Sequence, residues 1–324
     1  MSVLVTGASG FVGQAVCVSA LRSNLKVRGT YRSALSGRLL HGSVEKIQIA
    51  SVDRDTDWSG TLSQIDVVIH LAARAHVSKD ASRDPLKAFR EVNTKGTERL
   101  AKAAAAAGVR RFVFVSTIKV NGEETFAEPF CEADFPRPQD AYALSKWESE
   151  QALQQIGQES GMEVVVVRPP LVYGPGVRAN FLRLLDFVKR RVPLPLASVN
   201  NRRSLIYVSN LADAILACAM HPSAAGQTYL VSDTEAVSTP ELIDRIAGLM
   251  GLRSRTFACP TGLLSLAGKL TGRTGEVERL LGSLVVNGAR IQSDTGWSPR
   301  YSLSEGLAAT IDWYMAGGLS ECVA

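Results

Sequence analysis

The stretch AYALSK (141–146) sets Tyr142 and Lys146 four residues apart, a weak acid beside a cation. On a helix those positions share one face, so both side chains would point the same way. Most such pairs are ordinary surface neighbours, and the surroundings must decide whether this one is chemistry. A second candidate lies at the start of the chain. VLVTGASGFVG places Gly7, Gly10 and Gly13 between a hydrophobic run and a helical one. Glycines there let the backbone turn tightly and approach a pyrophosphate, whose charge is met by the N-terminus of the helix that opens with Phe11 and Val12. A glycine triplet alone is also a plain strand–helix turn. Its position at the first strand of an alternating chain favours a dinucleotide.

The end of the second strand selects the adenosine ribose. An acid there accepts from the 2′-hydroxyl of NAD, whereas arginine suits the 2′-phosphate of NADP. The residues are GTYRS, with no acid and with Arg32 flanked by Tyr31 and Ser33. This favours NADP(H), with NAD(H) as the alternative.

These residues need a scaffold, and the first half supplies one. SVLVTG, KVRGTY, KIQIASVD, DVVIHLAA, RRFVFVST and EVVVVRPPLVYG are β-rich runs. Helical stretches alternate with them, including roughly 85–107 and YALSKWESEQALQQIGQES. The pattern predicts an α/β, Rossmann-type doubly wound parallel sheet. SLIYVSNLADAILACAM reads as one more strand and helix of that sheet. Prolines loosen the pattern after residue 170. The expected division is a dinucleotide-binding domain of 1–170 and 204–234, with an interleaved substrate-binding lobe of 171–203 and 235–324.

Bulk properties exclude several classes. The 324 residues are 46% hydrophobic and 21% charged, with a net charge of +5 and no basic arm, so no nucleic-acid partner is expected. No apolar run reaches the ~18 residues of a membrane span, and the N-terminus lacks a basic leader. Five cysteines (17, 131, 218, 259 and 322) show no metal spacing and fit a reducing, cytoplasmic setting.

With the glycine loop, HLAA (70–73), Asn93, VST (115–117), YALSK and RPPLVYGPG (168–176) in this order, the chain resembles the extended short-chain dehydrogenase/reductases. Within them it looks like the NAD-dependent epimerase/dehydratase branch that modifies nucleotide-diphosphate sugars. The resemblance implies that Tyr142 is the general acid/base, that Lys146 lowers its pKa and holds the nicotinamide ribose, and that Thr117 binds the same substrate oxygen. The physical sense follows, since a free tyrosine has a pKa of ~10 and needs positive charge nearby to act at neutral pH. It also implies that Asp53 meets adenine and that Leu71, Ala72, Ala73 and Asn93 lie beside the cofactor. Asn180, Arg203 and Arg279 would contact the substrate, the arginines matching its diphosphate. A homodimer through the tyrosine helix is likewise implied.

Dehydratases of this branch carry Asp-Glu after the threonine, and this chain has Ile118-Lys119 there, which argues against water elimination. Arg32, and Asn121 where the epimerases usually have tyrosine, favour a reductase of UDP-4-keto-6-deoxy-(N-acetyl)hexosamines for surface polysaccharide synthesis. The alternative is a UDP-glucose or UDP-GlcNAc 4-epimerase with tightly bound NAD. A non-catalytic NADP sensor would have no use for all of Thr117, Tyr142 and Lys146.

Overall fold

Short buried strands alternating with helices build the centre of the molecule. The computed structural model describes residues 1–75, 84–272 and 274–318; His76 and Cys322 lie outside them. β1 (Ser2–Thr6), α1 (Phe11–Arg22), β2 (Lys26–Tyr31), α2 (Ala34–Arg38), β3 (Glu45–Gln48) and β4 (Val67–His70) come first. A continuous helical run follows, from α3 (Pro85–Phe89) through a π-helical turn (Arg90–Lys95) into α4 (Gly96–Ala106). Next are β5 (Arg111–Val115), α5 (Ala141–Ser160), β6 (Glu163–Arg168), β7 (Leu171–Tyr173), α6 (Ala179–Lys189), β8 (Arg203–Tyr207) and α7 (Val208–Met220). The chain continues through β9 (Thr228–Leu230), β10 (Ala236–Val237), α8 (Thr239–Leu249), α9 (Thr261–Leu270), α10 (Thr274–Leu281), α11 (Ala289–Thr295) and α12 (Leu303–Met315).

Seven strands form one parallel sheet in the order β3-β2-β1-β4-β5-β6-β9. The order reverses direction between β1 and β4, and that switch point opens a crevice at the strands' C-terminal ends. The two-residue period of a strand sorts its side chains between the faces. Val3, Val5, Val67, Ile69, Val113, Val165 and Val167 pack on one side with α1 and α7. Leu4, Val68, Phe112, Phe114, Val164 and Val166 pack on the other against Leu100 and Ala104 of α4 and Leu153 and Ile156 of α5. The expected doubly wound sheet is present.

One expected element changes partner. SLIYV does not join the main sheet: β8 pairs parallel with β7 and antiparallel with β10 in a separate three-stranded sheet. Burial explains this. Leu205 and Tyr207 face a second cluster with Leu242, Ile243 and Ile246 of α8 and Leu307 and Ile311 of α12. Only Ile206 reaches the first cluster. The seventh position of the main sheet is taken by β9, from the short run TYL. The following α7 does pack where expected, with Leu211 and Ile215 against Val16 of α1.

Candidate active site

The glycine loop joins β1 to α1 at the switch point. Gly7 has φ +67, and a Cβ there would meet the Ala72 nitrogen at 2.9 Å, so the loop after β4 lies directly against it. A Cβ on Gly13 would come within 2.2 Å of the Gly7 carbonyl. At Gly10 the nearest atom would be the Gly7 oxygen at 3.1 Å, which leaves the outer side of the turn open to a ligand. Gly10 caps α1 without a side-chain hydrogen bond, and the first turn holds no acid. The N–H groups of Phe11 and Val12 therefore face that opening, which suits a pyrophosphate. Arg32 is exposed at the end of β2. Asp53 sits in the loop beyond β3 rather than ending that strand. Its carboxylate accepts from the Ser51 hydroxyl at 2.5 Å, the Asp55 N–H at 3.0 Å and the Thr56 hydroxyl at 3.1 Å, bonds that together hold it below the usual carboxylate range, Ser51 contributing most.

Beneath the loop lies a histidine that the sequence did not single out. The Thr6 hydroxyl accepts from the N–H groups of Leu71 and Ala72 and lies 2.6 Å from His70 Nδ1. With its lone pairs engaged, Thr6 donates its proton to Nδ1, leaving Nε2–H to donate to Thr97 Oγ1 at 2.9 Å. Burial and the nearby Lys146 hold the imidazole neutral, its pKa pushed down to about 3. The unfolded chain binds this proton near ~6.5, so the contribution is full above that value and is lost as pH falls from there toward 3. Thermal unfolding between pH 7 and 4 should show Tm falling with acid, and His70→Gln should flatten that dependence. An equal slope in the variant would exclude His70 as its source.

α5 starts immediately before Tyr142 because Asp140 caps it, its Oδ1 accepting from the Ala143 N–H at 2.7 Å. Lys119 Nζ donates to Asp140 Oδ2 at 2.7 Å and to Glu123 at 2.7 Å, tying the turn that follows Thr117 to the start of α5. Tyr142 packs edge-on to Phe89, with ring centroids 6.0 Å apart. One turn on, Lys146 is 2% exposed, and its Nζ stands 3.9 Å from the centre of the Phe114 ring. Burial pushes the ammonium down to about 7 against the pull of Glu150. Burial, and secondarily Asp140, pushes the Tyr142 phenol up to about 12. Neither Tyr142 Oη nor Lys146 Nζ has a hydrogen-bond partner among the described residues. Both are available to a ligand.

Asn93 is saturated by the protein. Its Oδ1 accepts from the Arg74 N–H at 2.8 Å, while Nδ2 donates to the Arg74 carbonyl at 3.1 Å and to Ser145 Oγ at 3.0 Å. It pins the loop carrying Leu71, Ala72 and Ala73 to α5, with both amide hydrogens used within the protein.

Arg203 and Arg279 come together at the start of β8. Arg203 Nη1 donates to the carbonyls of Arg279 at 2.9 Å and Gly282 at 3.0 Å. Burial lowers the Arg203 pKa, opposed by Glu123, and Arg279 lowers it further. Two adjacent cations with free N–H groups suit an oxyanion. Asn180 is exposed in the first turn of α6, after Ala179 in the left-handed region at φ +55, and makes no hydrogen bond to either arginine.

The sequence profile of the NAD dependent epimerase/dehydratase family matches residues 3–232. The chain is 41% identical over 320 residues to a UDP-glucose 4-epimerase of Vibrio cholerae, covering 97% of this chain and 95% of that one. It belongs to the NAD dependent epimerase/dehydratase family. A more distant relative is the N-acetyl-alpha-D-glucosaminyl-diphospho-ditrans,octacis-undecaprenol 4-epimerase of Escherichia coli O157:H7, 24% identical with 96% and 95% of the chains covered. Among solved structures, MoeE5 in complex with UDP-glucuronic acid and NAD superposes with a TM-score of 0.79 at 26% identity, covering 98% of this chain and 100% of that one. The protein is therefore an enzyme of the epimerase/dehydratase type that uses a nicotinamide cofactor.

In this member of the family the site rests on a buried network that ties the VST and RPPLVYGPG motifs to α5. Glu150, one turn beyond Lys146, pairs with Arg168 at 2.5 Å and accepts from the Ser116 hydroxyl. Arg168 Nη1 donates to Asn121 Oδ1 at 3.0 Å, and Asn121 Nδ2 donates to the Cys131 carbonyl at 3.0 Å. Asn121 thus holds both Arg168 and the loop before α5. The available signal was the occurrence of charged residues, Glu150 and Arg168, inside otherwise buried segments. No metal-ligating group of three or more His, Cys, Asp or Glu occurs among the described residues.

Proposed function

We propose that this chain is a UDP-sugar 4-epimerase that retains its NAD. The observation that carries this reading is the high-identity relative of that activity, taken with what surrounds Thr117. Ile118 is buried at 3% exposure and Lys119 is held in two ion pairs. Neither residue can move protons for an elimination. The residues available for chemistry reduce to Thr117, Tyr142 and Lys146. Phe11 and Val12 N–H groups would hold the pyrophosphate, Lys146 the nicotinamide ribose, and Ala72 and Ala73 would flank the cofactor. Bound there, the nicotinamide supplies reversible redox chemistry at C4 of the sugar. Tyr142 takes the proton of the C4 hydroxyl and later returns it, while Thr117 orients that oxygen. Arg203 and Arg279 would clamp the substrate diphosphate, and Asn180 would reach it from the first turn of α6. The diphosphate's far end is a uridine in the substrate named for the Vibrio relative and a polyprenol in that named for the E. coli relative.

A 4-keto-reductase of UDP-4-keto-6-deoxy-(N-acetyl)hexosamines using NADP(H) is the second reading. It is favoured by Arg32, exposed directly after β2 in GTYRS with no acid in that stretch. Denaturing freshly purified protein and identifying the released dinucleotide separates the two. Near-stoichiometric NAD is the expected result. Protein released without dinucleotide that binds added NADPH reversibly would overturn the epimerase reading in favour of the reductase.

A further inference from the structure

A single cation links Thr117 to the helix that carries Tyr142. Thr117 caps the short turn Ile118–Val120, its Oγ1 accepting from the Lys119 N–H at 3.4 Å. That bond occupies a lone pair and leaves the hydroxyl proton for a ligand. The side chain of Lys119 then crosses to α5. Its Nζ donates to Asp140 Oδ2 at 2.7 Å, while Asp140 Oδ1 accepts from the Ala143 N–H at 2.7 Å. A second carboxylate, Glu123, completes the bridge at 2.7 Å. Stability is not the use of this bridge. Lys119, Glu123 and Asp140 are 24%, 22% and 42% exposed, and ion pairs open to solvent contribute little. The turn is also held by its backbone, from the Ile118 N–H to the Pro169 carbonyl at 2.9 Å and from the Arg137 N–H to the Val120 carbonyl at 2.8 Å.

The charges indicate what the bridge does. Asparagine or serine would cap α5 without a charge. Aspartate instead puts a carboxylate two residues from the phenol, and a negative charge there opposes phenolate. After burial, Asp140 is the second cause that pushes Tyr142 up. Burial raises the Asp140 carboxyl in turn, but the bonds from Lys119 and Ala143 hold it below its ordinary value, so it is ionised at neutral pH. Lys119 is the cation in contact with it. Among the described residues, the other charged groups around the phenol are Lys146 and the Arg90–Glu148 pair at α5, Glu123 on the bridge, and Arg279 of α10, which also acts on Asp140. Arg74 joins them, its guanidinium 5.6 Å from the centre of the Phe89 ring. On the reading of the site given above, Arg279 is committed to the substrate diphosphate, which leaves Lys119 to balance Asp140 during turnover.

We propose that Lys119 is a positioning residue for the proton-transfer step: its bridge fixes Tyr142 relative to Thr117 and neutralises the capping carboxylate beside the phenol. This rests on the reading of Tyr142 as the acid/base group of a 4-epimerase. NMR titration of isotope-labelled tyrosine in the NAD-loaded protein reads the phenol without any turnover, and Tyr142→Phe identifies its signal. Lys119→Met should lower the ionisation constant of Tyr142 about tenfold. It should lower kcat for a UDP-sugar at neutral pH by about the same factor, with KM unchanged. Adding Asp140→Asn, which keeps the cap, should return both readings to within about threefold of wild type. Lys119→Arg can still bridge two carboxylates and should match the wild type in both. A phenol that titrates in Lys119→Met as it does in the wild type would overturn the proposal. So would a shift that Asp140→Asn leaves in place, since a displaced turn rather than an uncompensated charge would then be its cause. Unaltered kcat beside a shifted phenol would overturn the role in proton transfer. The expected titrations in a protein that epimerises no UDP-sugar would count against the reading of the site and not against the charge balance at Tyr142.

Discussion

Tyr142→Phe should lower kcat for C4 epimerisation by about a thousandfold, the middle of the range for a single acid/base group. The substitution is clean because the phenol oxygen has no hydrogen-bond partner among the described residues to leave unsatisfied, and the ring keeps its edge contact with Phe89 at 6.0 Å. Unfolding stability should therefore stay within about 0.5 kcal/mol of wild type. Dinucleotide content should also be unchanged, since the glycine loop and Lys146 are untouched. The pKa directions show why the tyrosine needs its ligands. In the free protein burial pushes Tyr142 up to about 12, with Asp140 adding to the rise. Burial also pushes Lys146 down to about 7, so part of its charge is absent at neutral pH. A phenol held protonated this far above neutral pH gives up its proton poorly, so it cannot serve as a base until its surroundings change. A bound cofactor carrying positive charge on its ring would favour the phenolate, and ribose hydroxyls accepting from Lys146 would favour its ammonium. Turnover of Tyr142→Phe at the wild-type rate would refute the acid/base assignment.

Local features were legible and long-range ones were not. The parallel sheet could be read because each strand alternates between two apolar clusters, as Val3, Leu4 and Val5 do. The glycine turn and the Tyr142–Lys146 spacing are likewise contained within eleven and six residues. The pairing of β8 was misread because its own residues, RSLIY, are as apolar as a main-sheet strand. Only the neighbours that receive Leu205 and Tyr207 decide the matter, and they lie in α8 and α12. His70 was visible as a letter in HLAA, but its neutral state depends on burial and Lys146 and its tautomer on Thr6 and Thr97, which β1 and α4 bring to it from 64 and 27 residues away. Asn93 was assigned to the cofactor's surroundings, and its bonds to Arg74 and Ser145 needed the fold to be seen. Asn121 was noted as a departure from the epimerase pattern. Its use as an acceptor for Arg168, 47 residues on, needed the fold.

The Glu150–Arg168 pair carries the largest expected stability effect. Both side chains are nearly inaccessible, at 1% and 5%, and the carboxylate also accepts from Ser116. Removing one member leaves the other charged in a site nearly closed to solvent, at a cost of about 3–5 kcal/mol. Glu150→Leu should therefore lower Tm by roughly 10 °C for a chain of this size. Replacing both charges is a different experiment. Glu150→Leu with Arg168→Met deletes the uncompensated cation as well as the carboxylate. Buried pairs exchanged for apolar residues are often neutral or better, so much of the lost stability should return. Activity should not return with it. Glu150 is the group that opposes the burial of Lys146, and Arg168 holds Asn121 and through it the loop ahead of α5. The double variant is expected to fold near the wild-type Tm while keeping a reduced kcat and a weakened hold on its dinucleotide. Chemical denaturation of the wild type, both single variants and the double variant closes the cycle. A loss below about 1 kcal/mol in Glu150→Leu, within the range of exposed pairs, would mean that the network is hydrated and stands apart from the scaffold of the site.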